Sequence, residues 1–209
     1  MADAPRTQQS PILIDTRATI EAHFTPDYFH IGYENRYLTV APGGDNLAFA
    51  RPYQAITFRS QRFELRKIHI HHPAEHLLDG RKPHAFECHL VHFRKGDDGT
   101  GPKVVIGVFF HKDEMAADCP SFGRIARAEA GTAPTVNPFH FLPTNRHRFF
   151  HYEGSLTSEP YREDVSWFVM EQEIPVSPGD TRVLEKYAEQ DGRPVQPLNR
   201  RFVLRSFSV

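Results

Sequence analysis

Two short stretches concentrate the side chains that bind metal. In Lys67-Ile68-His69-Ile70-His71-His72-Pro73-Ala74-Glu75-His76 imidazoles alternate with isoleucines, and Phe86-Glu87-Cys88-His89-Leu90-Val91-His92 follows. In an extended strand alternate side chains share a face, so His69 and His71 point one way while Ile68 and Ile70 point into apolar packing. Pro73, Gly80 and Pro83 let the chain reverse, so that a second strand over 86–93 lies beside the first and presents His89 to the same face. Three imidazoles with a fourth position left for water are the arrangement of a catalytic zinc ion. With 13 histidines in the chain, His-x-His is a weak signal by itself. Glu75, four residues beyond His71, Glu87, two before His89, and the distant run Gly154-Ser155-Leu156-Thr157-Ser158-Glu159-Pro160 strengthen it, because all fit one mechanism.

The elements that must hold these residues are mostly strands. Apolar β-rich runs cover 55–58, 62–65, the two ligand strands, 104–110, 165–170 and 201–204, separated by turn residues. Helices are expected over 121–130 and over 179–189; in the second, Asp180 or Thr181 would cap and Val183, Leu184 and Tyr187 form the apolar patch. The expectation is a large, twisted, predominantly antiparallel sheet with short helices at its margins. Residues 1–8 read as a flexible lead and 9–209 as one domain, since a chain of 209 residues can bury a full core and contains no internal linker or repeat.

The chain resembles the α-class carbonic anhydrases of bacterial type. The resemblance runs from Gln9-Ser10-Pro11-Ile12, through the paired-histidine strand, the Glu75-His76 dipeptide, the Glu87 to His92 strand, Val104-Val105-Ile106-Gly107-Val108-Phe109 and Tyr152-Glu153-Gly154-Ser155-Leu156-Thr157, to Trp167 and Arg193-Pro194-Val195-Gln196-Pro197-Leu198-Asn199-Arg200. It implies reversible hydration of carbon dioxide to bicarbonate and a proton by a hydroxide on zinc, the zinc held by His69, His71 and His89, with a secondary esterase activity. It also implies that Thr157 accepts the hydroxide's proton and donates its own to Glu75, orienting the attacking lone pair. Val91, Val105, Leu156, Ser158, Val165 and Trp167 match the substrate pocket, and Val91 also shares the strand face of His89. Glu87 matches the acceptor that supports His89.

Several positions depart from the family pattern. The family commonly has a glutamine where this chain has Lys67, and a protonated lysine has three donors and no acceptor. Lys67 lies two residues before His69 and should share its face unless a bulge redirects it. Either water or a carbonyl then supports His69, or Lys67 is neutralised or turned away. Gly44-Asp45-Asn46-Leu47-Ala48-Phe49 places Leu47 where the family's proton-shuttling histidine stands, leaving the shuttle unassigned, with His72 and His30 as candidates. Glu159 replaces a proline, Asp191-Gly192 precedes Arg193 where asparagine and an aromatic are usual, and the aromatic N-terminal segment is shortened. One side of the cleft is thus open or filled by another subunit, which makes a homodimer one arrangement to expect.

Composition excludes other classes. Lys plus Arg is 25 against 26 for Asp plus Glu, so no global field favours nucleic acid or an anionic membrane. No run of 18 apolar residues exists, and Met1-Ala2-Asp3-Ala4-Pro5-Arg6 lacks a secretory segment. Strand alternation turns Cys88 away from the histidines into packing, and Tyr161 stands where many bacterial relatives carry a disulfide cysteine. A cytoplasmic protein is therefore expected from the chain as given, or a periplasmic or secreted one if a signal was removed. Two functions follow: a zinc lyase acting on carbon dioxide and bicarbonate, or a repurposed relative that acts on or binds a larger organic carbonyl or ester through Lys67 and Glu159.

Overall fold

The computed structural model describes residues 6–41, 47–49, 53–128, 132–190 and 192–208. The strands among them are β1 (Leu13–Ile14), β2 (Ile20–Glu21), β3 (Phe29–Ile31), β4 (Leu38–Thr39), β5 (Leu47–Ala48), β6 (Ala55–Phe58), β7 (Gln61–His71) and β8 (Leu77–Leu78). They continue with β9 (Phe86–Arg94), β10 (Lys103–Lys112), β11 (Thr135–Val136), β12 (Phe149–Gly154), β13 (Val165–Met170), β14 (Ile174–Val176), β15 (Ala188–Glu189) and β16 (Leu204–Arg205). Helices α1 (Pro120–Ala126) and α2 (Pro178–Tyr187) flank them. The main sheet runs β2-β16-β12-β13-β10-β9-β7-β6-β3, with β5 and β15 also on β7 and β14 on β10. No described helix is long and apolar enough to cross a membrane.

Each central strand buries both faces. Ile68 and Ile70 of β7, Cys88 and Leu90 of β9, Val104, Ile106 and Val108 of β10, and Phe168 and Met170 of β13 form one core. The opposite face carries Val91, Val105, Phe109, Trp167, Val169 and Tyr152 in a second core, with His69, His71 and His89 on the same face. Period-two alternation sorts the two sets. In β7 the alternation changes phase: Phe63 and Leu65 face the first core before a bulge between Leu65 and Lys67, and Ile68 and Ile70 face it afterwards. The extra residue puts Lys67, His69 and His71 together on the other face.

The sheet is predominantly antiparallel, as expected, but mixed. Pairs β7–β9, β9–β10 and β12–β13 are antiparallel, but β10–β13 at the centre is parallel, as are β10–β14, β7–β15 and β2–β16. The run at 62–65 is one strand with the histidine run, and the strand expected over 201–204 is confined to Leu204–Arg205. Helix α1 ends at Ala126, short of the expected 121–130, of which 129–130 lie outside the described residues. Helix α2 starts at Pro178 because Ser177, not Asp180 or Thr181, caps it, accepting from the Asp180 N–H. It also ends earlier than expected, at Tyr187, and the chain continues extended as β15. Of the expected N-terminal lead, 1–5 lie outside the described residues; the Thr7 carbonyl accepts from Asn199 and the Gln8 N–H donates to Glu163.

Candidate metal centre

Register across β7, β9, β10 and β13 builds the site in rows. One row is Lys67, Val91, Val105 and Trp167; the next is His69, His89, Gly107 and Val169; the third is His71, Glu87 and Phe109. The middle row brings the histidines together: one ring nitrogen from each of His69, His71 and His89 lies within 4.8 Å of the others. Ring centroids are 5.0 Å apart for His69–His71, 5.1 Å for His69–His89 and 4.6 Å for His71–His89. All three are buried. Burial disfavours the charged imidazole and holds His69 down to about 4, His71 to about 3 and His89 to about 4. Metal ligation needs the neutral form.

His89 is fixed by Glu87, whose Oε1 accepts from His89 Nε2 at 2.9 Å and from His76 Nδ1 at 2.7 Å. Its Oε2 accepts from the N–H groups of Glu75 and His76. Burial alone would raise the pKa of Glu87, but His76 and His89 outweigh it and hold the carboxyl well below its usual range. Gly107 makes this possible, since a Cβ there would lie 2.9 Å from Glu87 Oε1. The network continues from His76 Nε2 to the Tyr152 hydroxyl at 2.7 Å, and Tyr152 donates to Ser10 at 2.9 Å. His76, Glu87 and His89 are as close as a metal trio, but Glu87 Oε1 already accepts from His76 Nδ1 and His89 Nε2.

Glu75 stands behind the cluster. Its Oε2 is 3.4 Å from His71 Nε2 and 3.9 Å from His89 Nδ1, and its Oε1 accepts from the Arg193 N–H at 2.8 Å. Burial raises it to about 7, opposed by hydrogen bonding from Thr157 and Arg193. His71 Nε2 and His89 Nδ1 are buried and have no hydrogen-bond partner among the described residues. Neutral nitrogens converging without partners, with a carboxylate behind them, suit a divalent cation such as zinc.

Other expected site residues are placed as follows. Val91, Val105, Val165 and Trp167 are packed together in the core beside the cluster, with Leu156 against them. The Trp167 ring lies 4.8 Å from that of His89, and its Nε1 donates to Ser155 O. Ser158 and Glu159 are exposed on the turn, outside this wall. Leu47 is buried in the first core, in register with Ile68, so it faces away from the histidines while Ala48 pairs with Lys67. Gly44, Asp45, Asn46 and Asp191 lie outside the described residues. His72 Nδ1 donates to the Ala85 carbonyl, and His30 lies in an exposed part of β3. Cys88 and Cys119 are free, and Arg193 stacks on Tyr161.

Sequence reasoning missed Glu189. Its Oε1 lies 3.7 Å from His69 Nδ1 and its Oε2 3.8 Å from His71 Nδ1. Its carboxyl is held down at about 2, chiefly by His69. Lys67 is on the ligand face; burial lowers its pKa and Glu189 opposes that shift. No sequence signal marked it: Glu189 lies in the run read as helix, and the early end of α2 makes it the strand neighbour of His71.

The family model described as eukaryotic-type carbonic anhydrase matches residues 1–207. A carbonic anhydrase of Nostoc sp. is 35% identical over 159 residues, 74% of this chain and 58% of that protein. A dioscorin of Dioscorea polystachya is 29% identical over 149 residues, 68% of this chain and 54% of that protein. This chain thus spans less than two thirds of the length of either relative. The α-carbonic anhydrase of Thermovibrio ammonificans, solved with sulfanilamide, superposes with a TM-score of 0.77 at 29% identity, covering 94% of this chain and 86% of that one. Matched along nearly its whole length and sharing this sheet, the chain belongs to the α-type carbonic anhydrase family.

Proposed function

We propose that the chain catalyses reversible hydration of carbon dioxide to bicarbonate and a proton, with zinc held by His69, His71 and His89. The observation that carries this reading is the convergence of three neutral imidazoles, two presenting unpartnered buried nitrogens, in front of Glu75 and beside an apolar wall. Bound zinc supplies Lewis-acid chemistry that brings the pKa of a water to about 7, a value characteristic of carbonic anhydrases themselves and not deduced from this geometry.

The chain's own residues do the rest. The Arg193 N–H pins one oxygen of Glu75, and Glu75 receives the Thr157 hydroxyl. With its proton committed to Glu75, Thr157 Oγ1 is left as an acceptor. It selects the orientation in which the reacting O–H points at the threonine and a lone pair faces the substrate. Val91, Val105, Leu156, Val165 and Trp167 offer carbon dioxide an apolar surface without hydrogen-bond competition. The same surface disfavours the bicarbonate anion and promotes its release.

Metal analysis and stopped-flow hydration test the proposal. The purified chain should hold about one zinc, as a three-histidine site does. His89→Ala should abolish tight binding and hydration, whereas His84→Ala, whose ring stacks on Phe109 and bonds Glu173 instead, should retain both. Stoichiometric, tightly held zinc in the triple variant His69→Ala/His71→Ala/His89→Ala would overturn the assignment.

A second reading rests on Lys67. Its place at the end of the Val91-Val105-Trp167 row sets an ammonium beside the apolar wall, where it would hold the carboxylate of a larger carbonyl or ester substrate. An esterase assay alongside hydration separates the two, because Lys67→Gln should damage only the second activity.

A further inference from the structure

A metal-bound imidazole presents one ring nitrogen to the ion and leaves the other N–H in need of an acceptor that fixes the ring. His89 has Glu87. His69 and His71 turn Nδ1 to the opposite side, where their neighbour Lys67 offers donors and no acceptor. Among the described residues, His71 Nδ1 is buried without a hydrogen-bond partner. Among the described residues, β15 faces that side. Parallel pairing sets Glu189 in register with His71, and the His72 N–H donates to the Glu189 carbonyl at 3.0 Å, so the backbone that carries this carboxylate is tied to the ligand strand. One oxygen lies 3.7 Å from His69 Nδ1 and the other 3.8 Å from His71 Nδ1. Both separations exceed a formed hydrogen bond. The half-buried carboxylate, free at the solvent edge, can close them by rotation.

We propose that Glu189 is the positioning residue for both rim ligands, a two-pronged carboxylate that accepts from His69 and His71 together, with Lys67 as its counter-charge rather than a ligand support. The proposal rests on the zinc reading given above. It also changes what Lys67→Gln should do. With Glu189 in place the position next to His69 Nδ1 is already served, so an amide at 67 adds little; with Glu189 removed, the amide oxygen becomes the acceptor available to His69.

The experiment measures zinc affinity of the full chain by competition with a chromophoric chelator. Glu189→Ala should weaken zinc by ~10- to 100-fold, the scale for such partners, with the melting of the metal-free chain unchanged. Lys67→Gln alone should leave affinity as it is, and in the Glu189→Ala background it should restore part of the loss, a non-additivity that reports the coupling. In the zinc-loaded parent, the Nδ1–H proton resonances of His69 and His71 should both shift on Glu189→Ala. Unchanged affinity in Glu189→Ala, or a shift of one resonance only, would overturn the shared carboxylate while leaving the metal site intact. A parent that takes up no stoichiometric zinc would overturn the metal reading and this proposal with it.

Discussion

The two sides of the histidine cluster are braced differently. His89 is held from inside the sheet by Glu87, a fully buried carboxylate that accepts four N–H groups from Glu75, His76 and His89 in a space kept open by Gly107. His69 and His71 are approached from the rim by one carboxylate, Glu189, whose side chain is 40% exposed, with Lys67 beside it. The interior brace is over-determined: its donors come from two segments, and no water can replace it. The rim brace is a single group at the solvent edge. Departures from the family pattern at the cluster, such as Lys67, therefore fall where bracing is thinnest, and the interior keeps the expected Glu87.

Removing the interior brace should be the most damaging change. Glu87→Ala would leave His76 Nδ1, His89 Nε2 and two backbone N–H groups buried without an acceptor. It should cost roughly 3–5 kcal/mol, the scale for breaking a buried pair, and should abolish zinc uptake in whatever still folds. Urea unfolding of the metal-free chain measures this. A loss no larger than that of Glu189→Ala would erase the contrast between the two sides.

Acid should expose the same burial. His69, His71, His89 and His92 have pKa values lowered from 6.5, to about 4 or below, each chiefly by burial, so their contribution is present above pH 6.5 and lost as pH falls toward 4. Glu75 is raised from 4.5 to about 7, so its contribution runs the other way, lost as pH rises through 7. Between 4.5 and 6.5 these four imidazoles bind protons in the unfolded chain that they refuse in the folded one, and Glu75 alone of the five does the reverse; His140 and His151, also lowered by burial, add to the majority. Net stability falls on acidification. Calorimetry of the metal-free chain should show its melting temperature dropping across that window, and a flat profile would mean that these imidazoles are solvated.

The rim strand β5 yields a smaller effect. Leu47 faces the first core, so Leu47→His should not create a proton shuttle and should cost roughly 1–3 kcal/mol by burying a polar ring. Turnover at saturating carbon dioxide should stay dependent on small buffers such as imidazole in parent and variant alike. Buffer-independent turnover in the variant would show that position 47 reaches the site.

Much of the interior side was legible because it is local. Alternation assigned His69, His71, His89, Glu87 and Val91 to one face and sent Cys88 to the other. What escaped depends on contacts distant in sequence. The parallel pairing of β10 with β13 joins two runs whose faces are both apolar, and such runs carry no sign of strand direction. The bulge between Leu65 and Lys67 left no mark in composition. Glu189 was hidden because its segment reads as a continuing helix, and only the end of α2 at Tyr187 releases it to the sheet.

That bulge has a genetic consequence. A one-codon deletion at Arg66 would remove the unpaired residue of the bulge, so that Leu65 opposite His92 is followed directly by Lys67 opposite Val91 and every later side chain keeps its face. The same deletion at Ile68, with the bulge left in place, would turn both histidines into the hydrocarbon interior. The bulge is thus the place in β7 where a lost triplet leaves the histidine pair on its face, whereas the same loss beyond it inverts the pair.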